Sequence, residues 1–242
     1  CLNDDRPLLH RLAAAGCRTA HERVRADAMA ARYHALIRRL GFVQVDSINT
    51  VERAHHMILW SRRRSYKPAN LRPLLERDRV LFEHWTHDAS VIPTAFLPYW
   101  QTRFRREHAR LLAAYRSWQG DAFEAPLGAV LDHVGQTGPV VGGDLGQREK
   151  GQAGGWWAWH PEKTALEFLW RTGRLAVTRR DGFTKVYDLS ERVHAPCEGV
   201  SDAELGDFAC NAALDRLGFA TTGELAAFWA LVTPDEARDW GR

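Results

Sequence analysis

The sequence predicts a mainly α-helical chain with short β-hairpins. Apolar residues recur at three- and four-residue spacing along most of the 242 residues, these runs stop at Gly or Pro, and strict alternation is confined to brief stretches. With 45% hydrophobic and 26% charged residues the chain has the material for packed cores, which excludes disorder as its dominant state. No apolar run approaches the roughly 18 residues of a membrane span. The charged start, Cys1 to Arg11, lacks the apolar stretch of a signal peptide, so a soluble, intracellular, cytoplasmic chain is expected.

In chain order, Ala28 to Leu40 is an amphipathic helix stopped by Gly41. A helix is expected to restart over Val43 to Asn49, and another runs through Met57 to Trp60. Leu71 to Arg77 reads as a short helix leading into a β-rich stretch, Val80 to Ile92. Thr94 to Trp118 reads as one long helix and Gly120 to Pro126 as a linker. Leu127, Val130, Leu131 and Val134 sit at helical spacing before the break at Gly138-Pro139, and Val140 to Leu145 is expected to restart as a short helix. After a loop, Gly146 to Gly155, Pro161 opens a helix that carries Leu166, Leu169 and Trp170 and stops at Gly173. Leu175 to Arg180 and Phe183 to Leu189 then flank Asp181-Gly182, a dipeptide suited to a tight hairpin turn.

Helix, turn, helix, helix and hairpin in that order make a winged helix, and the same grammar recurs on either side. Asp202 to Leu217 is a helix stopped by Gly218, Thr222 to Leu231 is a second that Thr222 can cap, and Pro234 opens a third. Three units are therefore expected: residues 1 to 125 with the N-terminal segment and the long connecting helix, residues 126 to 197, and residues 198 to 242 as the start of a third unit. The start at Cys1 and the end before a third wing are expected to mark a piece of a larger protein.

Formal net charge is only +3, but only four of the 33 basic residues are lysine, Lys67, Lys150, Lys163 and Lys185. The last 45 residues hold nine of the 30 acids and three of the 33 bases, so the basic excess lies upstream. Arginine forks onto phosphate and stacks on bases, and clusters such as Arg62, Arg63 and Arg64, or Arg103, Arg105, Arg106 and Arg110, are footprints of a polyanion partner or simply a solvated surface. The cysteines, Cys1, Cys17, Cys197 and Cys210, lie far apart without a CxxC pair and are read as free thiols, the last in a core.

The segment Leu40-Gly41-Phe42-Val43-Gln44-Val45-Asp46-Ser47-Ile48-Asn49-Thr50-Val51, followed by Arg53-Ala54-His55-His56 and Leu59-Trp60-Ser61-Arg62, resembles the YcaQ-type winged-helix DNA glycosylases, the AlkX branch related to AlkZ. Glu83 to Ala89, Gly138-Pro139-Val140, Gly154 to Trp159 and the wing from Arg179 to Leu189 extend the match in order from about residue 28 to 232. The resemblance implies tandem winged helices and removal of alkylated purines from double-stranded DNA, including N7-linked guanine interstrand crosslinks, with an abasic site left behind. The family signature is Gln, an apolar residue, then Gln or Asp, and Gln44-Val45-Asp46 is the Asp form. The resemblance also implies a β-barrel after the winged helices; this sequence is expected to hold the part before it, without the DNA contacts that barrel would make. A monomer that associates with the bacterial nucleoid while repairing, with no membrane partner, is expected. The alternative is a non-enzymatic winged-helix DNA-binding transcriptional regulator, against which the apolar run Leu166 to Arg171 offers few base-reading side chains.

The chemistry is consistent with that resemblance. Breaking a deoxyribose-to-base bond builds positive charge on the sugar, which a carboxylate beside C1′ stabilises while it orients or deprotonates a water. Asp46 is the candidate, and Gln44, two residues away and on the same face if the segment is extended or a turn, would hold water, sugar or phosphate. Against this, Asp46 could simply cap a helix that begins at Ser47. N7-alkylguanine leaves as a neutral base, so no strong general acid is required. None of the lysines is close in sequence to Asp46, so a monofunctional hydrolase is expected rather than a Schiff-base enzyme. A crosslinked base cannot rotate into a closed pocket, so an open cleft is expected.

DNA-contacting candidates are Arg53, His55, Arg62, Arg63 and Arg64, with Arg179, Arg180 and Lys185 reaching phosphates from the second wing. His55 and His56 either contact DNA or only start a helix. Glu83, Trp85 and His87 are possible substrate-side residues; His84, His87, Glu83 and Asp88 suggest structural or substrate hydrogen bonding in preference to a metal, and no cofactor or metal is expected. Of Trp156, Trp157 and Trp159, at least two are read as core.

Overall fold

The computed structural model describes residues 28–143, 145 and 161–242. The loop from Gly146 to Gly155, the three tryptophans at 156, 157 and 159, Lys150, Cys1 and Cys17 lie outside the described residues. The chain is mainly helical with two small antiparallel sheets. Helix α1 (28–40) leads to strand β1 (Val43–Gln44), α2 (Ala54–Arg62), α3 (Leu71–Glu76) and the hairpin β2 (Leu81–Trp85) and β3 (Ala89–Pro93). The long α4 (Leu97–Gln119) then connects to α5 (Ala125–Thr137), β4 (Val140–Val141), α6 (Pro161–Arg171) and the hairpin β5 (Leu175–Asp181) and β6 (Thr184–Leu189). A short α7 (Ser190–Val193) precedes α8 (Asp202–Leu217), α9 (Thr222–Trp229) and α10 (Pro234–Trp240).

Two expected helices are strands. Val43 pairs with Val91 and Gln44 with Ser90, while Val140 pairs with Tyr187 and Val141 with Val186. In both places a short run rich in β-branched valine meets the open edge of a hairpin, and pairing there satisfies its backbone groups. Both sheets consequently have the same topology, with the hairpin's second strand in the middle: β1-β3-β2 and β4-β6-β5. No helix begins at Ser47, so Asp46 is not a helix cap. Residues 121–124 form a single 3-10 turn, so most of the expected linker is structured.

The second hairpin turns one residue later than Asp181-Gly182 suggests. Asp181 is paired with Thr184, leaving Gly182 and Phe183 as the two-residue loop, and only Gly182 has positive φ, at 62°. Positive φ at the first central position alone is the pattern of a type II′ turn. Likewise Thr221, not Thr222, caps α9: its hydroxyl accepts from the Glu224 amide in a reciprocal capping box.

Two of the three cores lie along α4. Leu97 and Trp100 pack with Phe82, Ile92, Leu205, Ala209, Cys210 and Trp229; Leu111 and Tyr115 pack with Val130, Phe168 and Trp170. The third core holds Tyr33, Ile37, Val43, Val45, Leu59 and Val91. The C-terminal helices therefore share a core with β2 and β3, and brace β1 directly: the Phe42 ring lies 5.3 Å from Phe228 and 5.5 Å from Trp229. The second helical set is docked on β2 by Trp170, whose indole N–H donates to the Glu83 carbonyl at 3.2 Å. Close approach of α4 to the turn after α6 depends on Gly173, where φ is 75° and an added Cβ would stand 2.2 Å from the Phe104 ring.

That crowding separates two effects. Gly173→Ala should lower unfolding free energy by about 2–3 kcal/mol, from overpacking plus backbone strain. Gly138→Ala, with φ of 87° but nothing within 4 Å of the new Cβ, should lose only about 1 kcal/mol. Urea denaturation of both variants checks this; equal losses would contradict the packing role of Gly173.

Candidate active site

Alternation along the first short strand sets the site. Val43 and Val45 are buried in the core, so Gln44 and Asp46 share the opposite, half-exposed side. The Gln44 amide donates from Nε2 to Asp88 Oδ2 at 2.9 Å, and Asp88 Oδ1 in turn accepts from its neighbour's amide, Ala89, at 2.7 Å. Gln44 is thus held from the β2–β3 turn. Asp46 Oδ1 accepts from the Ile48 amide at 2.9 Å, an Asx turn that fixes the carboxyl group without burying it. Among the described residues Oδ2 has no hydrogen bond.

The loop after Asp46 is tied down by Arg53, which donates from Nη1 to the Ser47 carbonyl at 2.7 Å. The same guanidinium lies over the Phe183 ring, 3.9 Å from its centre. Arg180 lies over that ring as well, at 4.2 Å, and forks onto Glu83, Nε to Oε2 at 2.7 Å and Nη2 to Oε1 at 2.5 Å. Glu83 is only 5% exposed. A tip residue of the second hairpin therefore sits between two arginines, one bound to the Asp46 loop and the other to a buried carboxylate of the first sheet. Phe183, Arg53, His55 and Glu83 line a recess of about 200 Å³ between α2, α3 and the second hairpin. Asp46 is outside that lining, but its charge acts on His55.

His55 is buried, and its Nδ1 has no partner among the described residues. Burial, then the nearby His56, Arg180 and Arg53, push its pKa down to about 3, with Asp46 opposing them. It is a neutral imidazole at physiological pH. His56 pairs with the Tyr66 hydroxyl at 2.8 Å.

The other expected contact residues are distributed unevenly. Arg62 and Arg64 are exposed on and just after α2, Arg64 over the Trp60 ring at 4.4 Å, while Arg63 is half-buried. Arg179 faces solvent beside Asp181, but Arg180 and Lys185 turn inward. Lys185 lies 3.4 Å from the centre of the Trp170 ring and 3.4 Å from Glu167, and burial lowers its pKa. Those two cations of the second hairpin do not present free charges to a phosphate; their charge is neutralised by Glu83 and Glu167. Trp85 is half-buried under Arg171, its carbonyl holding Arg103 at 2.8 Å. His87 is exposed, its ring against Phe42. Among the described residues no three His, Cys, Asp or Glu side chains converge as a metal site. Sequence reasoning did not single out Phe183, although an aromatic residue at a hairpin tip between two basic strands is a visible anomaly.

His55 makes stability acid-sensitive in a defined direction. Its folded pKa lies below the unfolded value, so the unfolded chain binds the extra proton; the contribution is complete above about pH 6.5 and falls away as pH drops toward about 3. His55→Gln should flatten the dependence of unfolding free energy on pH between about 6 and 4 by as much as 1.4 kcal/mol per pH unit, one proton's worth. Denaturant titrations across that window check it, and an unchanged slope would contradict a buried neutral imidazole.

Residues 37–241 match the protein family described as DNA glycosylase AlkZ-like. No solved structure matches the chain.

Proposed function

The chain belongs to the AlkZ-like DNA glycosylase family, and on that premise we propose that it hydrolyses the N-glycosidic bond of N7-alkylated guanine in duplex DNA, interstrand crosslinks included, with Asp46 as the catalytic carboxylate. The observation that carries this reading is a carboxyl group set by an Asx turn on a half-exposed strand end, one oxygen without a partner among the described residues. As the bond to the base stretches, positive charge grows at C1′ and O4′ and the electron pair leaves with N7-alkylguanine. The Asp46 carboxylate stabilises that cation and takes the proton of the water that adds to C1′. Gln44, oriented by Asp88, offers its amide carbonyl to that water or to the sugar. The neutral, unpartnered His55 adds no competing positive charge beside the carboxylate.

Hydrolysis without a covalent amine intermediate fits the lysine positions. Lys185 has the lowered pKa that a Schiff-base lysine needs, but its ammonium is held by Glu167 and the Trp170 face. Lys67 is exposed beyond α2, at the start of a 3-10 turn. The matched sheet topologies support tandem winged-helix units over 1 to 125 and 126 to 197, with 198 to 242 as the start of a third. Helix α6 gives Leu166, Phe168, Leu169 and Trp170 to the core, which leaves few side chains on it for reading bases. Exposed Arg62 and Arg64, and half-buried Arg63, supply sequence-independent phosphate contacts, with half-buried Arg179 joining them once it leaves Asp181. We read the working form as a monomer on duplex DNA.

Two measurements test this. Asp46→Asn should slow single-turnover release of N7-methylguanine from duplex by about 10²–10³-fold with DNA affinity little changed, the scale of losing one charge-stabilising group. Excision at the wild-type rate would remove Asp46 from the chemistry. Borohydride added during turnover should trap no protein–DNA adduct; a trapped adduct lost in Lys185→Arg would instead make the enzyme bifunctional.

A further inference from the structure

Seven large hydrophobic side chains are exposed among the described residues, and four of them, Ile48, Val51, Met57 and Trp60, fall in one stretch of 13 residues. Ile48 is 68% and Val51 88% exposed. Scattered exposed apolar residues need no explanation, but concentrated ones mark a binding surface. This group lies on the loop that carries Asp46 and on the first two turns of the helix that follows. Arg62 and Arg64 follow it in sequence, the latter stacked on Trp60, so cations adjoin the helical end of this exposed apolar stretch.

The loop is not loose. Asp46 Oδ1 holds the Ile48 amide, and Arg53 holds the Ser47 carbonyl. The turn that aims the carboxylate thus also fixes Ile48 two residues beyond it. A polyanion with an apolar interior is the ligand that matches exposed apolar side chains followed by cations, and duplex DNA is such a molecule: phosphates outside, stacked bases within. The anomeric carbon of a stacked nucleotide is crowded by its neighbours, and insertion of an apolar side chain between base steps opens them at a penalty of a few kcal/mol per step.

We propose that Ile48 and Val51 form a wedge that enters the base stack beside the damaged nucleotide, unstacking it so that Asp46 reaches C1′ without full rotation of the base. This rests on the assignment of Asp46 to the chemistry. Met57 and Trp60 cover the sugar edge behind the wedge, and Arg64 and Arg62 hold the adjacent phosphates. Ile48 and Val51 are positioning residues here and take no part in bond breaking.

The test uses full-length protein and a duplex with one N7-methylguanine followed by 2-aminopurine, whose fluorescence rises on unstacking. Wild type and Asp46→Asn should both raise the signal several-fold on binding. The I48S/V51S double variant should lose the rise and excise about tenfold more slowly from intact duplex, a loss of about 1.4 kcal/mol of transition-state stabilisation. On a substrate with the lesion opposite a gap, already unstacked, it should match wild type, and I48L/V51L should restore both readouts. A rise that survives in I48S/V51S, equal slowing on both substrates, or a changed oligomeric state with the signal intact would overturn the wedge. Asp46→Asn excising as fast as wild type would remove only the catalytic reading, because the fluorescence change requires no chemistry.

Discussion

Two arginines facing one phenylalanine connect the parts of this molecule. Phe183 projects from the tip of the second hairpin; Arg53 and Arg180 cover it, and each is anchored elsewhere, on the Ser47 carbonyl and on buried Glu83. Each cation–π contact contributes about 0.5–2 kcal/mol, depending on desolvation. The Glu83–Arg180 pair adds little net stability compared with an apolar pair of similar volume, because desolvating both charges offsets their attraction. Its consequence is geometric: with Glu83 buried, Arg180 cannot leave without stranding a carboxylate. The hairpin tip is therefore held in one place relative to the first sheet, and Arg53, stacked on it, holds the loop that carries Asp46.

A second set of contacts fixes the strand from the other side. The Phe42 ring, adjacent to β1, is wedged among Phe228, Trp229 and His87, so the C-terminal helices determine where Gln44 lies. Gln44 is then tethered to Asp88 in the β2–β3 turn. The two polar groups of the signature are restrained by different devices. Asp46 is set by its own Asx turn and by the Arg53 tie to the next carbonyl, whereas Gln44 depends on a contact 44 residues away.

Sequence reading located the elements whose ends carry their own signals. Helix α6 has Pro161 and Gly173 at its limits, α8 ends at Gly218, and the second hairpin has its Gly at the turn. Val43–Gln44 and Val140–Val141 escaped because two or three apolar residues fit either a helix or a strand, and only pairing with a distant hairpin decides between them. The one-residue error at Gly182 arose because Asp181 is a better turn residue than Phe183, and only the register with Thr184 moves the loop on by one. At the site, Gln44 and Asp46 stood out through the Gln44-Val45-Asp46 signature that carries the resemblance, because the residues alone equally allowed Asp46 as a helix cap. The inward turn of Arg180 and Lys185 was not legible: a strand pattern shows which face a cation occupies, and only the fold brings Glu83 and Glu167 to it.

The claim on which the functional reading rests is that the Asp46 carboxylate recognises positive charge developing on the sugar. Its most direct test compares equilibrium affinity for duplexes carrying a cationic pyrrolidine abasic analogue and a neutral tetrahydrofuran one. The full-length protein should bind the cationic analogue at least about tenfold more tightly, a preference of about 1.4 kcal/mol, and Asp46→Asn should bind both alike. Equal affinity of the unmodified protein for both duplexes, or a cationic preference that survives Asp46→Asn, would contradict the assignment.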